Sequence, residues 1–165
     1  MRSLNQLIGT PNTENIDGNG KTISQLSEIH YAPNKPSDTV DWTRYSSCRG
    51  SLPAESYSRL IDVIIDTDEY TEDERDDAVY DGIWDLLCHQ YTFYSVTPLF
   101  LDLLLSRFSG KKIPDIELQR FTELCKNQGT GAIYLSATEI EQNQQGLLPI
   151  YRIEDILSYH QLAAS

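Results

Sequence analysis

Residues 51–66, SLPAESYSRLIDVIID, carry the pattern that decides the predicted fold. Their apolar side chains recur with the spacing i, i+3, i+4, i+7, i+8 of one helix face, at Tyr57, Leu60, Ile61, Ile64 and Ile65. Pro53 falls in the first turn, where a missing N–H removes no helical hydrogen bond. The stretch therefore predicts an amphipathic helix whose apolar face needs a neighbouring element to cover it.

Helical signals continue downstream of this stretch. Thr71 with Glu74 forms a capping-box pattern, Thr97 precedes a proline at a predicted helix start, and Gly129 is a typical helix stop. Ser136 with Glu139 repeats the capping-box pattern, and residues 151–163 close the chain with another amphipathic segment. Amphipathic helices joined by short connections predict an all-α, solenoid-like stack of helical hairpins. GTGAIYLS, residues 129–136, is compatible with a short β segment or a loop.

The N-terminal part of the chain has a different composition. Residues 1–50 are rich in turn formers, so we expect a loop-rich segment packed on a helical core of residues 51–165, within a single domain of 165 residues. NIDGNGKTIS resembles part of a calcium-binding loop. Alignment to that loop places Leu26 where a bidentate glutamate is required, which favours an ordinary Asn-Gly turn.

The charge of the chain is negative and concentrated. The sequence has 13 Lys and Arg against 25 Asp and Glu, a formal net charge of −12. Residues 66–81, DTDEYTEDERDDAVYD, hold nine of the acids and one base, Arg75. This balance argues against nucleic acid or an anionic membrane as a direct partner and leaves basic proteins or cations.

Other features of the composition indicate a cytoplasmic protein. The three cysteines lie about forty residues apart, which suits reduced thiols. The N-terminus lacks a signal-peptide pattern, and apolar runs of membrane-spanning length are missing from the sequence.

Catalytic patterns are weak. DVIIDTDEY can be interpreted as a strand ending in Asp66-x-Asp68, as in Mg²⁺-dependent hydrolases, although the helical spacing opposes a strand. The histidines, His30, His89 and His160, are far apart and lack zinc-site spacing. We therefore expect a protein that is not an enzyme and that has no metal site and no cofactor.

The most specific stretch is DDAVYDGIWDLLCHQYTFYSVTPLFLDLL, residues 76–104. It resembles a group of bacterial HEAT-like α-helical proteins in which the second helix ends in a phrase close to His-Gln-Gly-Thr-Val-Tyr, followed by proline. The matching residues are His89, Gln90, Thr92, Tyr94 and Pro98, whereas Tyr91 stands in place of the usual glycine. The resemblance covers about residues 41–108 and implies a HEAT-like α-solenoid. Members of such families often look like immunity proteins that bind and block contact-dependent or polymorphic toxins.

The predicted binding face combines charge and aromatic side chains. Glu74, Asp77, Asp81 and Asp85 are spaced by three, four and four residues, which would align them along one α-helical stripe. The candidate anchors beside this stripe are four tyrosines and one histidine: Tyr70, Tyr80, Tyr91, Tyr94 and His89. A solvated helix face neutralised by Arg59, Arg107, Lys111 or Lys112 is the alternative reading of the same acids.

These features predict an immunity protein that neutralises a cognate, basic nuclease toxin, either an RNase or a DNase, without chemistry of its own. The alternatives are a HEAT-like protein-binding scaffold and the Asp-x-Asp hydrolase.

Overall fold

The computed structural model describes residues 1–14 and 19–163, and this part of the chain is a mixed α/β structure. Its seven α-helices are α1 (Leu4–Ile8), α2 (Ala54–Ile65), α3 (Glu72–Asp77), α4 (Thr97–Arg107), α5 (Ile116–Gln128), α6 (Ala137–Gln144) and α7 (Ile153–Ala163). A π-helical segment, Ala78–Leu87, continues directly from α3. Short 3₁₀ turns occupy Ile23–Gln25, Trp42–Arg44 and Thr130–Ala132.

A four-stranded sheet overturns the prediction of an all-α, HEAT-like solenoid. The strands are β1 (Lys21–Thr22), β2 (Cys88–His89), β3 (Thr92–Tyr94) and β4 (Ile133–Leu135), in the order β1-β4-β3-β2. β3 and β4 are parallel, and the two outer pairs are antiparallel. The short β segment expected near residues 129–136 is therefore real, but it lies inside a sheet and does not interrupt a helical stack.

The error in the predicted fold class has two physical causes: the strands are short, and they pair with residues far away along the chain. Each has two or three residues, too few for a period-two pattern to appear in the sequence. β4 pairs with β1 and with β3, which lie far away along the chain. The sheet is therefore held by non-local contacts that local periodicity does not record.

The predicted helices themselves are largely confirmed. Thr71 and Ser136 each form the predicted capping box, with Glu74 and Glu139 respectively. Gly129 ends α5 with a φ of 65°, a left-handed conformation that favours glycine. Thr97 lies inside α4 and is not its cap, because its hydroxyl donates to the carbonyl of Leu87 at 2.8 Å.

The π-helical segment packs against α2 at Gly82. A Cβ atom placed there would lie 2.6 Å from Cδ1 of Leu60, so the close approach of the two helices requires glycine. Leu60 is fully buried and Ile83 fills the core beside it. Tyr80, in the same segment, faces outward and is 64% exposed, because π-helical winding turns each residue less than an α-helix does.

The loop-rich residues before α2 pack onto the rest of the chain through specific polar contacts. The side-chain amide of Asn143 accepts from the N–H of His30 and donates to its carbonyl, at 2.9 and 2.7 Å. The hydroxyl of Tyr45 donates to the carbonyl of Pro149 at 2.7 Å. Together with buried Leu7, these contacts make the segment part of one hydrophobic core.

The strand reading of Asp66-x-Asp68 does not hold, since α2 runs through Ile65. Oδ1 of Asp66 accepts the N–H groups of Asp68 and Glu69, both at 3.0 Å, in a turn that follows the helix. The calcium-loop pattern falls partly on residues 15–18, outside the described residues. In the described ranges, every helix is too short or too polar to cross a bilayer.

We predict that Gly82→Ala lowers the free energy of unfolding by about 1–3 kcal/mol, because the added methyl group overpacks the buried Leu60. Urea denaturation of the purified variants measures this. Gly131→Ala is the matched control, since a Cβ there meets no atom within 4 Å and its backbone is not left-handed. Equal effects of the two substitutions would contradict a packing requirement at Gly82.

Candidate functional site

The acidic segment, residues 66–81, retains most of its charge in the folded protein. One of its nine acids, Glu74, has a basic partner. The other eight form no ion pair with any described residue, and all but Asp77 are exposed: Asp66, Asp68, Glu69, Glu72, Asp73, Asp76, Asp77 and Asp81. The single base of the segment, Arg75, donates to the carbonyl of Tyr70 at 2.5 Å. The fold therefore presents a local excess of negative charge without neutralising it.

Arg59, Arg107, Lys111 and Lys112 do not neutralise this segment within the described residues. The Arg107 guanidinium pairs instead with Asp62 on α2.

Glu74 departs from the predicted stripe because it is buried, with 2% of its surface exposed. Its carboxylate accepts from the backbone N–H of Arg2 at 3.1 Å, from Nε of Arg2 at 2.9 Å and from the N–H of Thr71 at 2.9 Å. The hydrogen bonds from the Arg2 side chain, followed by that from Thr71, lower the pKa of Glu74 to about 2. Glu74 therefore ties the N-terminal residue Arg2 to α3, and its buried carboxylate is not available to a binding partner.

Asp85 also departs from the stripe. Its carboxylate pairs with the Arg49 side chain through Oδ2 and with Nδ1 of His89 through Oδ1, the latter at 2.9 Å. Pairing within the chain therefore removes two of the four acids from the stripe, because Glu74 binds Arg2 and Asp85 binds Arg49. Of the predicted stripe, Asp77 and Asp81 remain unpaired.

The four predicted tyrosine anchors fall into different environments. Tyr80 and Tyr91 are exposed, at 64% and 70%. Tyr70 is half-buried beneath Arg2, whose guanidinium lies 5.3 Å from the ring centre. Tyr94 is half-buried and stacks edge-on against Tyr134 at 6.2 Å. Two of the four therefore have the exposure that a partner contact requires.

The turn between β2 and β3 has an unusual backbone conformation at Tyr91. Gln90 and Tyr91 have φ angles of 52° and 64°, so both central residues of this two-residue hairpin are left-handed. The tyrosine keeps the backbone conformation that glycine would favour and bears its steric cost. The turn thus exposes an aromatic ring that is attached to a strained backbone.

Tyr91 borders a surface groove between this hairpin and α5. The groove has a volume of about 640 Å³, and Trp84, Ile116, Arg120 and Leu124 contribute to its lining. Ile116 is more than half exposed, so the groove has apolar walls open to solvent. Exposed aromatic and aliphatic side chains around a concave surface are typical of binding sites.

His89 belongs to a second grouping, which we term the Cys–Asp–His cluster: Cys48, Asp85 and His89. One potential ligand atom from each residue lies within 4.8 Å of the other two. The carboxylate bond to Nδ1 fixes the orientation of the imidazole, as it does in metal sites and in thiol chemistry. Cys88, next to His89 in sequence, is buried, and burial raises the pKa of its thiol to about 11.

Sequence reasoning missed Arg2, Cys48 and Arg49. Arg2 lies 72 residues from Glu74, and Arg49 lies 36 residues from Asp85. The i, i+4 spacing of Asp85 and His89 is the one local signal that indicated part of the cluster.

Comparison of the chain with protein-family models, with curated proteins and with solved structures returns no match.

We predict that Glu74→Gln lowers the free energy of unfolding at neutral pH and that its deficit shrinks as the pH falls from about 4.5 towards 2. A carboxyl with a lowered folded-state pKa stabilises the fold above its unfolded pKa and loses that effect on protonation. Glutamine keeps one oxygen to accept from the N–H of Thr71, while its NH₂ group replaces the oxygen that accepts from Arg2, so the change removes the charge together with the hydrogen bonds from Arg2. Denaturation curves across this pH range test it, with exposed Asp76→Asn as the control.

We further predict that Tyr91→Gly is more stable than Tyr91→Ala by about 1 kcal/mol. Left-handed backbone costs about 1–2 kcal/mol with a Cβ, and the unfolded-state entropy of glycine offsets part of that gain. The matched pair at Tyr80, similarly exposed but helical, should reverse the sign, with Tyr80→Ala the more stable. The same sign at both positions in thermal or urea unfolding would contradict strain at the turn.

Proposed function

We propose that this chain is an immunity protein, which binds a cognate basic toxin in the cytoplasm and blocks it without catalysis. One observation carries the proposal: eight carboxylates within residues 66–81 have no basic partner among the described residues, and seven of them are exposed. Like charges held this close repel one another, so the arrangement reduces the stability of the isolated chain. A basic partner would relieve that repulsion on binding.

The chemistry of nuclease toxins fits such a surface. A nuclease needs Lys and Arg side chains to hold the phosphates of its substrate, so its active-site cleft is positively charged. A dense array of carboxylates can occupy the same cleft as a polyanion and exclude the nucleic acid. Opposite charges also accelerate encounter of the two proteins, which matters when a toxin must be captured before it acts.

Affinity requires more than charge. Neutralisation at nanomolar concentration corresponds to about −12 kcal/mol of binding free energy, and buried aromatic anchors supply much of this in protein interfaces. Tyr80 lies between Asp77 and Asp81 and is 64% exposed, so it can be buried by a partner that covers these acids. We assign the contact to Asp77, Tyr80 and Asp81. Glu74 and Asp85 are excluded from it because they are paired within the chain.

The proposed function is tested by co-expression with the toxin that it implies. The variable C-terminal domain of a large secreted protein encoded beside this chain is expressed in bacteria with and without it. We expect the domain alone to arrest growth and the chain to restore it. Continued arrest despite soluble, folded chain would overturn the proposal, as would rescue without a complex in size-exclusion chromatography, since the proposed mechanism is occlusion.

The contact assignment gives a separate prediction. In a complex of the purified chain and toxin domain, Asp77→Lys with Asp81→Lys should slow association at least about tenfold and weaken its dependence on salt. Tyr80→Ala should mainly accelerate dissociation. Glu28→Lys with Glu141→Lys changes the net charge equally at exposed positions elsewhere and serves as the control. Equal slowing by both double variants would show that net charge, and not this surface, governs binding.

A further inference from the structure

The Cys–Asp–His cluster is assembled from three separate parts of the chain. Cys48 lies in the loop before α2, Asp85 in the last turn of the π-helical segment and His89 in β2. Sulfur, carboxylate oxygen and imidazole nitrogen meet with no pair of these atoms more than 4.8 Å apart. Among the described residues, this is the one group of three side chains with metal-ligand atoms at such distances.

The backbone on each side of the cluster is held firmly. The N–H of Cys48 donates to the carbonyl of Leu86 at 2.8 Å, which ties its loop to the π-helical segment. Within the loop, Ser47 and Gly50 form a bridge, and the N–H of Ser47 donates to the carbonyl of Gly50 at 2.8 Å. Cys48 therefore lies in a turn that is closed by hydrogen bonds, and these bonds fix the backbone position of the thiol before a ligand binds.

Two unusual backbone features converge on the other two ligands. Asp85 belongs to a ten-residue π-helical segment, and His89 directly precedes the left-handed pair Gln90 and Tyr91. π-Helical turns and left-handed residues other than glycine both carry an energetic cost and occur preferentially at functional sites. Here they bring Asp85 and His89 to the same point, beside Cys48.

The immediate surroundings of the cluster contain one cation and one phenol. The Arg49 side chain already binds Oδ2 of Asp85, so the carboxylate carries one cationic partner in this structure. The Arg49 side chain is 61% exposed, and a metal ion bound at Oδ2 would have to displace it. Tyr94 forms a side-chain hydrogen bond with Cys48.

We propose that Cys48, Asp85 and His89 form a binding site for a divalent transition-metal ion, with Zn²⁺ as the best fit. One sulfur, one nitrogen and one oxygen ligand suit Zn²⁺, whereas Mg²⁺ and Ca²⁺ select oxygen ligands. In a tetrahedral zinc site the ligand atoms are about 3.5 Å apart. Here Oδ1 of Asp85 lies 2.9 Å from Nδ1 of His89, and ligand atoms of all three residues lie within 4.8 Å of one another. Half-exposed His89 leaves a fourth position open to water.

This site is independent of the acidic segment and of toxin binding. Its ligands lie outside residues 66–81, and the proposed contact with Asp77, Tyr80 and Asp81 does not use them. Zinc binding and neutralisation can therefore succeed or fail separately.

The test uses the full chain, reduced and treated with chelator, then titrated with Zn²⁺ in a calorimeter and with Co²⁺ in a spectrophotometer. We expect one equivalent of Zn²⁺ to bind and Co²⁺ to give a thiolate-to-cobalt charge-transfer band in the near ultraviolet. Cys48→Ser should abolish that band, and Asp85→Asn and His89→Gln should each weaken Zn²⁺ binding by at least about tenfold. Circular dichroism checks that each variant is folded.

Two controls separate this site from adventitious binding. Cys88→Ala removes the neighbouring buried thiol and should keep the charge-transfer band. His30→Gln removes an exposed histidine whose Nε2 lies 3.6 Å from a Glu28 oxygen, and it should leave Zn²⁺ affinity unchanged. Absence of stoichiometric binding by the wild-type chain would overturn the proposal. So would a band that survives Cys48→Ser or disappears with Cys88→Ala.

Discussion

The contact between Gly82 and Leu60 is the constraint on which the rest of the structure depends. It allows the backbone of the π-helical segment to lie directly on the Leu60 side chain of α2. The segment ends at Leu87, and β2 begins at the next residue, so the same contact sets where the β2–β3 hairpin enters the sheet. The hydroxyl of Thr97 donates to the carbonyl of Leu87, and this hydrogen bond connects the end of the π-helical segment to the first residue of α4.

The parts of this fold that could be predicted from sequence are those with local causes. Capping boxes at Thr71 and Ser136 and the glycine stop of α5 involve residues within one helical turn, so their signals are contiguous. The sheet has no comparable signal, because strands of two or three residues owe their existence to partners elsewhere in the chain. The error in fold class follows from this difference between local and non-local signals. Helices leave a periodic pattern in the sequence, and strands of two or three residues do not.

The candidate sites show the same division. The density of acids in residues 66–81 is a property of composition, and eight of these carboxylates form no ion pair with any residue that the structure describes. Which acids face solvent depends on Arg2 and Arg49, whose pairing with Glu74 and Asp85 is non-local. The π-helical winding then changes which of the remaining residues share a face. The number of acidic residues in this segment could therefore be predicted from sequence. Which of them are exposed and unpaired depends on tertiary structure.

The polar contacts of the N-terminal residues also bear on the order in which the chain acquires its fold. His30 binds Asn143 and Tyr45 binds Pro149, across separations of 113 and 104 residues. During synthesis, residues 30–45 leave the ribosome long before these partners exist, and contacts of such long range slow folding. The early part of the chain must therefore remain incompletely packed until residues 143–149 have been synthesised.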